Sequence, residues 1–147
     1  MSDHRILTVS AAVQDSLSEL DVDALAVALL SDLRRTRLEE TALRLLPETH
    51  SVVVFAMEVY PEILEHVKPE RTAGTASLND LFDRHQEFLS SRLTKAAYDV
   101  AKISHRNGLK ALPLPAVGCP LDARFLQAVF SYKHAGQAAG LGYIGRS

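Results

Sequence analysis

Ser51-Val52-Val53-Val54-Phe55-Ala56-Met57 constrains the chain most, because a β-branched, apolar run of that length belongs in an extended strand. It does not alternate with polar residues, so both of its faces should be covered, as in a central strand of a layered sheet. Anything that covers such a strand must itself be amphipathic, and the flanking stretches are.

Ser2 and Asp3 are placed to cap a helix running to about residue 20, in which Ile6, Val9, Val13 and Leu17 recur at helical spacing. Residues 21–30 read as a second buried strand through Val22, Leu25, Val27 and Leu29, although their alanines and leucines also suit a helix. A charged amphipathic helix follows from Ser31, with Leu33, Leu38, Ala42, Leu45 and Leu46 on its apolar side, and ends before Pro47. Residues 60–77 form a surface connection with one helical turn over 61–67. Ser77 and Asp80 make a capping box, after which Phe82, His85, Leu89, Leu93, Ala96, Val100 and Ile103 mark one face of a long helix ended by Asn107-Gly108. Residues 109–114 are expected to form a short strand, 115–120 a tight loop carrying Gly118 and Cys119, 122–130 a helix, and 131–139 a further helical turn or two. Helices alternating with buried strands predict a single α/β domain over residues 1–147, with a mixed sheet flanked by helices.

The chain's 147 residues match the commonest domain size, and its 47% apolar and 23% charged content is that of a globular protein. No apolar run approaches the roughly 20 residues that span a bilayer, so no membrane partner is expected. Residues 1–10 lack the apolar core and cleavage site of a secretory signal, which makes the cytoplasm the default location. Sixteen Lys and Arg against eighteen Asp and Glu give a net charge of -2, with no general pull toward nucleic acid. Cys119 is the single cysteine, so no disulfide framework or multi-thiolate metal site can be built from this segment.

The chemistry-bearing stretch is Gly140-Leu141-Gly142-Tyr143-Ile144-Gly145-Arg146-Ser147. Gly140-x-Gly142-x-x-Gly145 satisfies the dinucleotide fingerprint formally, but residues 132–139 before it look helical where that motif needs a strand. A left-handed helix end accounts for Gly140 alone; three glycines are better explained by close approach of the backbone to a ligand. Because the chain stops inside this motif, it is expected to be the N-terminal part of a longer protein.

The phrase from Lys133 through Ser147, KHAGQAAGLGYIGRS, resembles the K-x-x-A-x-x-A-G-L-G-x-I-G-K signature of the epoxyqueuosine reductase and reductive dehalogenase-like family. That resemblance implies a nitroreductase-like, corrinoid-binding domain of a cobalamin-dependent oxidoreductase. Two [4Fe-4S] clusters are then expected only in a ferredoxin-like module absent from this chain. Gly140, Leu141, Gly142 and Gly145 would bring backbone against the corrinoid, Lys133 and Arg146 would supply positive charge, and His134 would join Lys133 in contacting the amides or phosphate of its tail. The family's best-known target is the epoxide of a modified tRNA base, making tRNA a partner of the full-length protein only. Gly136 and Arg146 stand where the family has alanine and lysine; the second keeps the charge and changes its geometry.

The resemblance also implies a carboxylic acid proton donor upstream of the glycines, and Asp122 is the nearest match; the residues themselves, with Pro120-Leu121 before it, favour a plain helix N-cap. Cys119 has no base identifiable by spacing, and His85 reads as a hydrogen-bonded core residue. Glu62, Glu65 and His66 would form a small metal cluster if 61–67 is helical, but a solvated charged turn explains them equally well and no metal site is assigned; Arg34, Arg35 and Arg37 read as an exposed helix face. The alternative from another class is a non-catalytic cofactor-binding or dimerisation domain, with flavin in place of the corrinoid and a homodimer as its assembly.

Overall fold

The computed structural model describes residues 15, 18–66, 76–124 and 127–145, so most of the helix expected up to residue 20 lies outside the described residues. The two expected apolar strands are present as β1 (Ala24–Leu29) and β2 (Ser51–Ala56), which pair antiparallel from Ala24 opposite Ala56 to Leu29 opposite Ser51. Asp23 closes one end of the ladder: its N–H donates to the Ala56 carbonyl at 3.1 Å and its carboxylate accepts the Glu58 N–H at 2.7 Å. At the other end the Leu30 N–H reaches the His50 carbonyl at 2.9 Å.

Between the strands lie a 3-10 turn, Leu30–Leu33, and helix α1, Arg37–Leu45. Thr36 is the N-cap of α1, and Glu39 reaches back past it to the preceding residue. The Thr36 hydroxyl accepts the Glu39 N–H at 3.2 Å, while the Glu39 carboxylate accepts the Arg35 N–H at 2.7 Å. The single helix expected from Ser31 is thereby divided. Arg34 and Arg35 occupy the turn before α1, with Arg35 at φ 65°, and only Arg37 is helical.

Helix α2 (Pro61–His66) leads toward α3 (Ala76–Arg106), 31 residues and about 46 Å long at 1.5 Å per residue. Ser77 therefore lies inside α3 rather than capping it. Leu89, Ala96, Val100, Ala101 and Ser104 are its buried positions, and α3 packs on α2 and β2. The chain then turns at Gly108, where φ is 76°, and residues 109–115 form neither helix nor strand. The strand expected over 109–114 is absent because Pro113 and Pro115 carry no N–H for a ladder. This segment is held instead by single bonds. The Ala111 N–H donates to His105 Nε2 at 3.3 Å, and the Ala116 N–H donates to the Thr94 hydroxyl at 3.1 Å.

Residues 122–130 were expected to be helical, and the described ones, 122–124 and 127–130, are not. Leu121–Asp122 (β3) and Gln127–Ala128 (β4) form a two-residue antiparallel hairpin, extended by the Val129 N–H donating to the Pro120 carbonyl at 2.9 Å. The hairpin delivers Phe130, 5% exposed, into the core, and that burial outweighs the modest helix preference of the local sequence. Helix α4 (Tyr132–Ala138) follows, capped by Ser131, whose hydroxyl accepts the His134 N–H at 3.4 Å.

The core gathers Leu30, Leu38, Ala42, Phe130 and Ala135, with Val52 and Val54 of β2 against it. Strand alternation puts Ala26 and Ala28 on the same sheet face as those two valines. Helix α4 contacts both strands, and the small side chains of Ala28 and Ala135, 3% and 1% exposed, suit that close approach. The protein is thus α/β, as expected. Its sheets among the described residues are two antiparallel pairs and not one mixed sheet, since the segment expected to add a further strand does not pair.

Candidate functional site

Where the start of α1 faces the start of α4, a cavity of about 820 Å³ opens. Leu33, Leu38, Ala128, Phe130 and Ala138 contribute its apolar wall, and Thr36, Arg37, Thr41, Ser131, Lys133, His134 and Gln137 its polar one. The two side-chain N-caps set this up. Thr36 starts α1 so that Arg37 occupies its first turn, and Ser131 starts α4 so that Lys133 and His134 occupy its first turn. Ser131 Oγ and His134 Nδ1 lie 2.6 Å apart, which fixes the ring against the helix start.

Tyr132 and Cys119 stand at the inner end. The Tyr132 hydroxyl donates to the Pro115 carbonyl at 2.6 Å, and the Cys119 thiol lies 4.0 Å from the Phe130 carbonyl. Burial pushes the Tyr132 phenol well above its ordinary range, and its hydrogen-bonding and electrostatic interaction with Cys119 push it further. Tyr132 is therefore a neutral packing element of the wall, and Cys119 beside it is a free, half-buried cysteine.

The signature glycines lie elsewhere. Gly140 stands at φ 80° and completes a Schellman motif: its N–H donates to the Gln137 carbonyl and the Leu141 N–H to the Gly136 carbonyl, both at 3.0 Å. Beyond it the chain carries Gly142, Tyr143, 90% exposed, Ile144, 45% exposed, and Gly145. A Cβ built on Gly142 or Gly145 would meet nothing within 4 Å, and neither glycine has a positive φ. Neither Gly140 nor these residues line the cavity; of the expected cofactor-binding set, Lys133 and His134 do.

Asp122 sits in β3 with Gln127 as its backbone partner, so it is a strand residue and not a helix N-cap. Arg146 lies outside the described residues. His85 is half-buried on α3 with its ring 5.5 Å from that of Tyr60, and its Nε2 is buried without a hydrogen-bond partner among the described residues, contrary to the expected bonded state. No group of three His, Cys, Asp or Glu among the described residues could hold a metal ion, and no described helix is long and apolar enough to cross a membrane.

Thr36, Arg37, Thr41, Ser131 and Gln137 were missed as site residues. The Thr-x-x-Glu pattern at 36–39 carried the signal, since it starts the helix at Arg37 and removes that arginine from a uniform exposed face. In comparisons with known proteins, the chain matches no family model, no curated protein and no solved structure.

Proposed function

We propose that this chain is a corrinoid-binding domain similar to that of the epoxyqueuosine reductases, and that it receives its ligand on the strip from Gly140 to Gly145. One observation carries the reading. Gly142 and Gly145 are needed neither for a left-handed backbone nor for packing against any described part of the chain. A side-chain-free surface with no internal cause is what close approach of a bulky flat ligand would require. The neighbouring Tyr143 and Ile144 offer exposed apolar area to the same guest. Lys133 and His134, one helix earlier, would meet its polar tail, and Asp122 is the candidate proton donor.

Cobalamin, when bound, supplies reductive chemistry at cobalt. The protein's own part is to exclude water from one face with the glycine strip and to balance negative charge with Lys133. The family's iron-sulfur clusters need several thiolates, and these residues carry only Cys119, so binding rather than turnover is the activity proposed for this chain.

A visible-range titration with hydroxocobalamin should give a saturable spectral shift that Gly142→Val abolishes while leaving the far-ultraviolet circular dichroism unchanged. A shift retained in that variant would overturn the reading. A second reading, a binding module that pairs with another copy through Tyr143 and Ile144, rests on their exposure. It predicts a doubled mass by light scattering, lost in Tyr143→Ser, with no response to hydroxocobalamin.

A further inference from the structure

We infer that the cavity between α1 and α4 is a binding site for a small phosphate monoester carrying an apolar body; the glycine strip lies outside it, while Lys133 and His134 are shared with the contacts proposed above for the corrinoid's tail. At about 820 Å³ it lies within the range of small-molecule sites, and its walls divide by chemistry. One side is aliphatic and aromatic, from Leu33, Leu38 and Phe130. The other brings together Arg37 from one helix and Lys133 from another, with no described carboxylate in the lining.

Those two cations lack ion-pair partners among the described residues, although five pairs form elsewhere, so their charge is available to a ligand. Two positive charges match a phosphate monoester, which carries about -1.5 to -2 at neutral pH, better than a single carboxylate. The surrounding groups are suited to the same oxygens. In the tautomer where His134 Nδ1 accepts the Ser131 O–H, the Nε2–H of the ring is a further donor at the cavity wall. Arg37 is also the first residue of the nine-residue α1, whose positive dipole end therefore borders the cavity. An anion is favoured by charge, by donors and by helix orientation together, while the apolar wall gives a hydrophobic body somewhere to lie.

Isothermal titration of the whole chain with phenyl phosphate, inorganic phosphate and phenol tests this directly. Phenyl phosphate should bind with one-to-one stoichiometry, about tenfold or more tighter than either of the others, because each lacks half of the recognition. Arg37→Gln and Lys133→Gln should each weaken phenyl phosphate by about tenfold, as loss of one charge-assisted contact does, whereas Arg44→Gln at the far end of α1 should not. Thermal midpoints within error of the unaltered protein show that the two variants remain folded. Equal affinity for phenol and phenyl phosphate, no heat with phenyl phosphate, or full affinity in both variants would each overturn the assignment. Gly142 does not line this cavity, so Gly142→Val should leave phenyl phosphate binding intact, and failure here leaves the corrinoid titration to be judged separately.

Discussion

The hydroxyl of Tyr132 donates to the carbonyl of Pro115 at 2.6 Å, joining the start of α4 to a proline-rich segment that has no ladder of its own. That bond positions the inner wall of the cavity, because Cys119 follows Pro115 closely and packs with Tyr132 on the core.

Tyr132→Phe should lower stability by about 1 kcal/mol, the usual net worth of one hydrogen bond whose acceptor is left partly buried. Urea unfolding followed by circular dichroism measures it. An unchanged midpoint would mean that water replaces the phenol without loss.

The same tyrosine makes stability depend on alkaline pH. Burial, and then the neighbouring thiol, raise its folded pKa above the ordinary 10.0, so the folded state keeps its proton where the unfolded chain releases it. Its contribution is complete below pH 10.0 and is lost progressively above that value. Urea midpoints should therefore fall more steeply above pH 10.0 in the unaltered protein than in Tyr132→Phe, and parallel curves would contradict the assignment.

Two glycines four residues apart should respond with opposite sign. Gly140→Ala forces a Cβ into the left-handed region at φ 80° and should cost about 1–2 kcal/mol. Gly136→Ala, inside α4 with open space around the added Cβ, should gain about 0.5–1 kcal/mol by favouring the helix. Thermal melts of the two variants decide it.

Thr36→Ala removes the acceptor of the Glu39 N–H and the donor to the Leu33 carbonyl at 2.7 Å. A loss of about 1 kcal/mol is expected in denaturant unfolding. Since the cap places Arg37, phenyl phosphate binding should weaken as well.

Phe130→Ala should cost about 3–5 kcal/mol, the range for deleting a buried aromatic, and for a core this small it should abolish the cooperative thermal transition.

Local chemistry alone determined much of this protein. The β-branched run at 51–57 had to be a strand, the apolar stripe from Phe82 to Ile103 had to be a helix face, and the small residues of 132–139 had to form a helix that a glycine could end. Each is a signal repeated within a few residues, where backbone preference and side-chain period agree. Tertiary structure decided the rest. Leu121–Asp122 and Gln127–Ala128 became paired strands because Phe130 is worth more in the core than a helical turn is locally, and residues 109–115 stayed unpaired because prolines deny them a ladder. Arg37 and Lys133, almost a hundred positions apart, meet at one cavity only because two separate caps start two helices beside each other. No local pattern encodes that meeting, since it depends on how the helices pack and not on what either prefers alone.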